Sequence, residues 1–329
     1  MEILHATAFW APFVAFAVAV SGTALLRSRW VAGLALDHPN ERSLHSRPVP
    51  RTGGMAIIAG VTGAASLLCA SPSLIVPAVA LALLSYLDDR HALPAAVRLL
   101  MHLAAAGAFL WLVSGLAPAA LLVFLLLAIA WITNLFNFMD GSDGLAGGMA
   151  VFGFGAYGMA SWLAGNSEFG LLAWSIAAAA AGFLAFNFPP AKIFMGDVGS
   201  IPLGFLAGAF GVAGWQAGVW PLWFPPVVFA PFIVDASVTL VRRLLRGDRV
   251  WEAHREHYYQ RLILSGWSHR RTALWEYALM LLCGATAVIG LPRTPAVQIA
   301  LFLTLALCIA ALMWAVDRRW KRYRTKAHA

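Results

Sequence analysis

Long apolar stretches alternate with short polar ones along the whole chain. Eleven of the apolar stretches approach the roughly 20 residues that a membrane-spanning helix needs, and none alternates strictly enough for a barrel strand. Because backbone groups in lipid must be paired within their own segment, the pattern predicts an all-α polytopic membrane helix bundle. The predicted spans cover 7–26, 54–71, 73–87, 97–115, 118–134, 145–164, 168–186, 200–218, 222–241, 275–291 and 296–316.

The composition agrees with a membrane protein. The 329 residues are 61% hydrophobic and only 12% charged, which is about half the charge of an average soluble domain. The same composition excludes disorder, which requires low hydrophobicity. Three cysteines lie in apolar runs, without the spacing of a disulfide framework or a metal site. No linker or clear repeat divides the chain, so we expect one membrane domain over residues 1–329.

The formal net charge of +8 is distributed very unevenly. If successive spans alternate sides, 22 of the 23 Lys and Arg residues fall in one set of loops and only Arg293 falls in the other. The positive-inside rule makes the first set cytoplasmic, with the N-terminus outside and the C-terminus cytoplasmic. The basic residues therefore indicate orientation in the lipid bilayer, and we expect no nucleic-acid partner.

Most carboxylates, amides and histidines also fall in these loops, so we expect a catalytic surface there. The loops are 27–53, 88–98, 134–145, 187–200 and 242–271. The first one ends in Arg51-Thr52-Gly53-Gly54, where a helix begins. Free amides at that helix start, together with Arg51, would bind an anion, and a loop that only contacts acidic headgroups is an equal alternative.

Asp88 and Asp89 end the third apolar stretch. Adjacent like charges at a membrane edge are costly unless a cation or a metal-bound phosphate lies near them. This pair therefore favours a catalytic site over an ordinary charged helix end.

Polar residues follow the fifth span at helical spacing. Asn134, Asn137 and Asp140 lie three apart, which places them on one face of a helix. Asn and Asp oxygens suit a hard cation such as Mg²⁺. Helix capping would explain one or two of these residues, but with Asp143 there are four between two spans. We therefore expect a metal or substrate site here.

A similar cluster follows the seventh span. Pro189-Pro190 ends that helix, Lys192 comes next, and Gly196-Asp197 opens the following helix. A carboxylate beside glycine-flanked amides can hold a metal whose other ligands are phosphate oxygens. A plain helix cap is the alternative for Asp197.

Two further polar features lie in and after the ninth span. Asp235 lies inside the span, as a functional carboxylate or as a structural partner of Arg242 or Arg243. His254 and His257 lie three apart in the next loop and suit recognition of a phosphate and a base. An amphipathic helix touching anionic lipid is nearly as good an explanation, whereas zinc lacks a third ligand at the usual spacing.

Four motifs in one order give the chain a recognisable pattern. They are Asp88-Asp89-Arg90, Asn134 to Leu145, Phe188 to Ser200, and His254 to Arg261. Over roughly residues 7–316 the chain resembles the polyprenyl-phosphate N-acetylhexosamine-1-phosphate transferases, glycosyltransferase family 4. The loop 37–54 and the His-Arg-x-His-x-Tyr-Gln-Arg spelling resemble the branch that begins O-antigen and related surface polysaccharides.

The resemblance implies transfer of a sugar 1-phosphate from a UDP-N-acetyl sugar to undecaprenyl phosphate, with release of UMP. It implies a multi-pass protein of a bacterial inner membrane with a cytoplasmic active site. It also implies Mg²⁺, with Mn²⁺ as an alternative, at Asn137 and Asp197. Asp88 matches the carboxylate that orients or deprotonates the lipid phosphate, and Asp89 matches its neighbour.

The remaining expected contacts are with substrate. They comprise Arg51, Asn134, Asp140, Asp143, Lys192, Gly196, His254, Arg255, His257 and Arg261. Arg90 and Arg98 replace the lysine-bearing stretch of the peptidoglycan branch, which argues against a muramyl-pentapeptide substrate. The small-residue helix 204–218 is a candidate wall for a polyprenyl groove open to the bilayer.

Other classes explain less of the pattern. A CDP-alcohol transferase would continue Asp140-Gly141 with Ala-Arg, which this chain lacks, and an aromatic prenyl transferase is a related alternative. A transporter would place polar residues near the midplane of broken helices, and a lipid-binding scaffold would not need Asn137 and Asp197. The sequence leaves open the sugar, the oligomeric state, with a homodimer as one option, and whether the reaction is direct or covalent.

Overall fold

The computed structural model describes residues 8–28, 36–37, 48–91, 93–113, 115, 117–249, 252 and 254–327, without the side chains of residues 89–91 and 327. These residues form thirteen helices and one two-stranded sheet. The helices are α1 (Ala11–Leu26), α2 (Gly53–Leu67), α3 (Pro72–His91), α4 (Ala95–Val113), α5 (Ala119–Met139), α6 (Leu145–Leu163), α7 (Ser167–Asn187), α8 (Asp197–Gln216), α9 (Phe224–Val228), α10 (Ala230–Leu245), α11 (Tyr258–Leu264), α12 (His269–Gly290) and α13 (Pro295–Ala327).

The all-α membrane architecture is confirmed. Six helices are long and apolar enough to cross a membrane, namely α4, α5, α7, α8, α12 and α13, and shorter apolar helices cover Ala11–Leu26, Gly53–Leu67 and Pro72–Asp88. Each predicted span coincides with helix in the structure. The number of spans and their orientation in the bilayer stay predictions, because they require a membrane as well as a fold.

The ninth predicted span, 222–241, differs from a single helix. It is broken at Phe229 into the short α9 and the longer α10. Pro225, Pro226 and Pro231 lie on both sides of the break. Since proline has no amide hydrogen to donate and clashes with the preceding turn, a continuous helix through this segment would be strained.

Helix α8 lies at the centre of the bundle, and α13 lies at its edge. In their most apolar 18-residue windows, 83% of α8 is buried but only 11% of α13. Glycines let α8 approach α5 closely: a Cβ atom on Gly204 would lie 2.8 Å from the Cα atom of Thr133, and one on Gly208 would lie 3.1 Å from that of Ile129. The small residues of 204–218 thus pack against other helices, so the predicted bilayer-facing groove along them is wrong.

The first polar loop is joined to the start of α8 by backbone contacts. The amides of Gly53 and Gly54 donate to the carbonyls of Phe194 and Met195 at 3.0 and 2.9 Å, and the Phe194 amide donates to Pro50 at 2.7 Å. Upstream, strands β1 (Leu36–Asp37) and β2 (Val49–Pro50) pair antiparallel. The bonds from Gly53 and Gly54 bring the α2 start and the α8 start to the same end of the bundle. These two amides are therefore not free, and the predicted anion site at the α2 start is wrong in this respect.

Candidate active site

The two predicted metal-binding side chains lie together. Helices α5 and α8 run antiparallel, with Thr133 beside Gly204. Asn137 is one turn beyond Thr133, and Asp197 is about two turns before Gly204. The helix contact therefore carries the two side chains toward each other, and the Asn137 side chain hydrogen-bonds the Asp197 carboxylate.

Asp88 joins this cluster from α3. Its carboxylate is buried, accepts a 2.6 Å hydrogen bond from the Leu93 amide, and pairs with Arg98 at 3.6 Å. Asp88 and Arg98 are both close enough to Asp197 to interact with it electrostatically. The buried acid and its half-exposed cation thus belong to one charged surface with Asp197. The Asp89 side chain lies outside the described part of the chain.

Arg51 lies near the Asp197 carboxylate and comes from the first polar loop. Its charge also acts on Asp197, and its backbone is packed against Gly196. Gly196 adopts φ +69°, and a Cβ atom there would lie 2.3 Å from the Arg51 carbonyl oxygen. Glycine is therefore required at this position both by backbone conformation and by space.

Asp140 is the last acidic member of the cluster, in the loop between α5 and α6. Burial, and to a lesser extent the negative charge of Asp197, raises the pKa of Asp140 well above its usual range. Two carboxylates and an amide oxygen that converge in this way favour a divalent cation, which would relieve their repulsion.

The donor set nonetheless provides few protein ligands. Within the described residues, no three His, Cys, Asp or Glu side chains converge as a metal cage would require. Mg²⁺ commonly uses one or two carboxylates and completes its shell with water and substrate phosphates. Asn137 and Asp197 fit that mode of binding, and a zinc-type site does not.

Two other predicted contacts, Asp143 and Asn134, have local partners, and a third, Lys192, is exposed. Asp143 accepts from the Ala191 amide at 2.9 Å and lies 3.8 Å from His269, and Asn134 donates to the Ala130 carbonyl at 2.9 Å. Lys192 is exposed at the turn after the cis Pro189–Pro190 bond. Their substrate-binding roles stay predictions, while Asp143 clearly joins two site loops.

Asn187 makes the second link between those loops. Its side chain accepts from the Gly144 amide at 2.9 Å and donates to the Ile193 carbonyl at 2.8 Å. The Tyr277 hydroxyl donates to the Gly144 carbonyl at 2.7 Å. These buried bonds set the position of the Asp140 loop relative to α8.

The segment from His254 to Arg261, which we name the histidine loop, is organised by Asp235. The buried carboxylate accepts from the amides of Tyr258 and Tyr259 at 2.9 and 3.2 Å, and it lies 3.2 Å from Nδ1 of His257. It also accepts from Thr239 at 3.3 Å. Asp235 therefore satisfies the free amides at the start of α11 and holds the His257 ring beside them.

This arrangement corrects the predicted partner of Asp235. Arg242 pairs with Asp317 at 2.8 Å, and Arg243 pairs with Glu256 at 3.1 Å. Both arginines lie beyond Asp235 along α10 and point to other acids. The α11 amides are the nearer donors because α11 packs against the side of α10 on which Asp235 lies.

The histidine loop contacts the end of α5. The Tyr259 hydroxyl donates to the Phe138 carbonyl at 3.3 Å, and the His257 ring stacks on Phe138 with ring centroids 6.5 Å apart. The ring centroids of His254 and His257 lie 4.8 Å apart. Burial, followed by electrostatic interaction with His257 and Arg243, lowers the pKa of His254 to about 4. His254 is therefore neutral at pH 7.

Arg255 and Arg261 differ in their surroundings. Arg255 is half-buried between the two histidines in sequence. Arg261 is buried, donates to the Glu256 carbonyl at 2.7 Å and to Asp317 at 2.7 Å, and lies over the Tyr258 ring. Through these contacts Arg261 connects α11 to α13. Its predicted contact with substrate stays a prediction.

Sequence reasoning missed several residues that shape the site. Arg98 pairs with Asp88, Asn187 joins two loops, and Asp317 binds Arg242 and Arg261. Asn187 is the last residue of α7 and Asp317 is the first charged residue after the apolar part of α13, so a polar residue at the end of an apolar stretch is the signal that marks both. For Arg98 the helical spacing from Asp88 gives no signal, because a turn separates α3 from α4.

Comparison with known proteins places this geometry in a sequence family. Residues 71–214 match the family model described as glycosyl transferase family 4. The probable undecaprenyl-phosphate N-acetylglucosaminyl 1-phosphate transferase of Bacillus subtilis is 30% identical over 300 residues, covering 84% of this chain and 82% of that protein.

Two other similar proteins broaden the comparison. A decaprenyl-phosphate N-acetylglucosaminephosphotransferase of Mycobacterium tuberculosis is 31% identical over 293 residues, covering 74% of this chain and 72% of that protein. A phospho-N-acetylmuramoyl-pentapeptide-transferase of Geobacillus is 33% identical over 172 residues, about half of each chain. The longer matches thus extend over most of the helix bundle.

Proposed function

The chain belongs to glycosyl transferase family 4, and from this membership we propose that it transfers an N-acetylhexosamine 1-phosphate from a UDP-sugar to a prenyl phosphate. In the proposed reaction a phosphate oxygen of the lipid forms a bond to the β-phosphorus of the UDP-sugar. The bond from that phosphorus to the bridging oxygen breaks, and UMP leaves with the electron pair. The products are a prenyl-diphospho-sugar and UMP.

One observation carries the proposal. Asp88, Asn137 and Asp197 come from three different helices and form a single charged cluster with Arg51 and Arg98. Both proposed substrates are anions that must meet at one phosphorus, so the site has to neutralise several negative charges. A surface that combines hard oxygen ligands with two arginines meets that requirement.

The proposed cofactor is Mg²⁺, with Mn²⁺ as an alternative. Asn137 and Asp197 would hold it, and when bound it would supply charge neutralisation at the diphosphate. Arg51 would bind phosphate oxygens beside the Gly196 turn, where close backbone packing fixes its position. Asp140 would contribute a neutral or ionised carboxyl according to whether a cation is bound.

Asp88 has a more limited role in this proposal. A phosphate monoester has a second pKa near 6, so the lipid phosphate is mostly ionised at pH 7 without help from a base. The Leu93 amide and Arg98 hold the Asp88 carboxylate in one orientation. Asp88 therefore positions the attacking phosphate, and a covalent aspartyl intermediate is the alternative route.

The histidine loop is proposed to bind the nucleotide half of the donor. His257 and Phe138 present stacked rings at the end of α5, beside the Asp140 loop. Neutral His254 lies next to them and has hydrogen-bonding nitrogens without a positive charge. Aromatic faces and a neutral imidazole suit a base, whereas the arginines on the other side suit phosphates.

The finer assignment is also a proposal. We place the protein in the inner membrane with the site on the cytoplasmic face, because 22 of its 23 Lys and Arg residues fall in the corresponding loops. The resemblance of the loop 37–54 and of the histidine motif supports undecaprenyl phosphate as acceptor and the first step of O-antigen-like polysaccharide synthesis. Residues 38–47 of that loop lie outside the described part of the chain.

The experiment is an in vitro transfer assay. Purified full-length protein is incubated with undecaprenyl phosphate, Mg²⁺ and each of several UDP-N-acetyl sugars, and the lipid product is identified by mass. We expect one sugar to give a prenyl-diphospho-sugar together with UMP. Absence of a lipid-linked diphosphate with every sugar in the panel would refute the proposal.

Two variants connect the activity to the site. Asp197→Ala and Asn137→Ala should each reduce transfer by at least about a hundredfold, the scale expected when a metal-holding group is lost. Asp248→Ala is the matched control, because that carboxylate is exposed and pairs only with Arg246 among the described residues. Near-normal transfer in both site variants would refute the proposal that Asn137 and Asp197 hold the metal.

A further inference from the structure

An apolar pocket lies between α10, α11, α12 and α13, next to the histidine loop, and Asp235 and Tyr258 form part of its lining. Its volume is about 220 Å³, and its lining shares no residue with the cluster around Asp197. The apolar wall includes Leu262, Trp275, Leu279, Ile309, Leu312 and Met313. Trp275 is 55% exposed and Leu312 is 38% exposed, so the pocket opens onto the outer surface of the bundle.

Arg319 connects this pocket to a basic groove. The guanidinium lines both cavities, and it donates to the hydroxyl and the carbonyl of Ser265 at 2.8 and 2.6 Å. Its position is therefore set by α11 as well as by α13. The groove has a volume of about 490 Å³ and contains Arg318, Arg322 and Lys326 in addition, with no carboxylate in its lining.

The cations of the groove are available for a ligand. Among the described residues, Arg318, Arg322 and Lys326 have no carboxylate within ion-pair distance, and all three are exposed. Arg318 packs over the Trp314 ring at 3.8 Å, which fixes its guanidinium at the end of the apolar part of α13. Trp314 lies where the apolar part of α13 meets its basic end, a position typical of tryptophan at a membrane–water boundary.

We propose that the pocket and the groove together form a binding site for an anionic glycerophospholipid of the bilayer. One alkyl chain occupies the apolar pocket, and the phosphate lies on Arg318, Arg319 and Arg322. Glu276, which also lines the pocket, is seven residues into α12. It therefore meets the alkyl chain, while the headgroup stays at the arginine end.

The charge pattern is the reason for choosing an anionic lipid. Four cations without an acid would repel a lipid whose outermost group is an ammonium, and they would attract a phosphodiester that has no compensating charge. The apolar pocket distinguishes a lipid from a soluble phosphate, because a free phosphate has nothing to place among Leu279, Ile309 and Met313.

Native mass spectrometry of the purified full-length protein tests this site. Phosphatidylglycerol and phosphatidylcholine with identical chains are added in turn, and retained lipid is counted. We expect preferential retention of phosphatidylglycerol. The variant Arg318→Gln/Arg322→Gln/Lys326→Gln should weaken it on the order of a hundredfold, since each cation near a membrane surface contributes about fivefold.

Two further variants separate charge from shape. The charge-retaining variant Arg318→Lys/Arg322→Lys/Lys326→Arg should keep the preference for phosphatidylglycerol. Ala315 lines both cavities, so Ala315→Phe should fill the junction and reduce retention while every cation remains. The combination of these two results is expected only if both the chain and the headgroup are bound.

Four outcomes would overturn the proposal. Equal retention of the two lipids, or unchanged retention in the glutamine variant, would show that the basic groove binds no headgroup. Displacement of the lipid by glycerol phosphate at the same concentration would show that the pocket holds no chain. Displacement by an equimolar amount of polyprenyl phosphate would assign the site to the lipid substrate.

Discussion

Asp235 offers the sharpest test of how the histidine loop is held. The change is Asp235→Ala, which removes the acceptor of the Tyr258 and Tyr259 amides and of the His257 ring. Tyr258 and Tyr259 are 5% and 0% exposed, so water cannot easily replace the lost carboxylate. Each buried donor left without a partner costs roughly 1–3 kcal/mol.

The two amides together imply that α11 becomes about 2–6 kcal/mol easier to open. Since 1.36 kcal/mol corresponds to a tenfold change, local opening of α11 should rise at least about thirtyfold. The rest of the bundle should keep its stability, because α11 contains only seven residues. Transfer activity should fall as well, because the position of His257 depends on α11.

The assay is amide hydrogen exchange followed by mass spectrometry on peptides that cover α11, with transfer measured on the same preparations. Asp235→Asn should give an intermediate rate, because the amide oxygen can accept one of the hydrogen bonds. Asp248→Ala is the control for loss of a carboxylate from a neighbouring exposed pair, which is worth under about 1 kcal/mol. If exchange in α11 stays unchanged while activity falls, Asp235 acts on substrate directly and the positioning argument is refuted.

Three other predictions follow from the structure. Gly54→Ala should lower the thermal unfolding temperature in detergent, because its Cβ atom would lie 2.3 Å from the backbone nitrogen of Gly199 and overpacking costs about 1–3 kcal/mol. Gly63→Ala, with open space around its Cβ position, should not lower it, and equal behaviour of the two would contradict the close helix contact. Because the pKa of His254 is lowered from 6.5 to about 4, the unfolded chain takes up a proton before the folded protein does, so stability should fall between pH 6.5 and 4. His254→Gln should lessen that decline in unfolding scans at successive pH values. An identical decline in the variant would show that His254 is not its cause. A reporter fused after Ala329 should read cytoplasmic, and an external signal would break the eleven-span topology.

The hydropathy pattern predicted the helices well, because helix formation in lipid is a local requirement. A segment that enters the bilayer must satisfy its backbone hydrogen bonds internally, whatever its neighbours are. Each predicted span therefore coincides with helix. The pattern failed at α9 and α10, where three prolines break an apolar stretch that hydropathy alone describes as continuous.

The candidate site was predictable by residue type but only partly by role. Asn137 and Asp197 were expected at one metal, and the antiparallel contact of α5 with α8 does bring them together. Asp143 and Arg261 were expected at substrate, yet their charges are used in contacts with Ala191 and Asp317. The same side chain can bind a ligand or join two loops, and its spacing in the sequence is the same in both cases.

By itself the sequence determined that this chain is a helical membrane protein and where along the chain its apolar helices lie. Those properties depend on the transfer of successive segments between water and lipid, which is a local free energy. Only the tertiary structure decided that Asp235 holds the α11 amides and that Arg98 pairs with Asp88. The partner of a buried charge is the nearest donor in space, and distances in space are set by how whole helices pack.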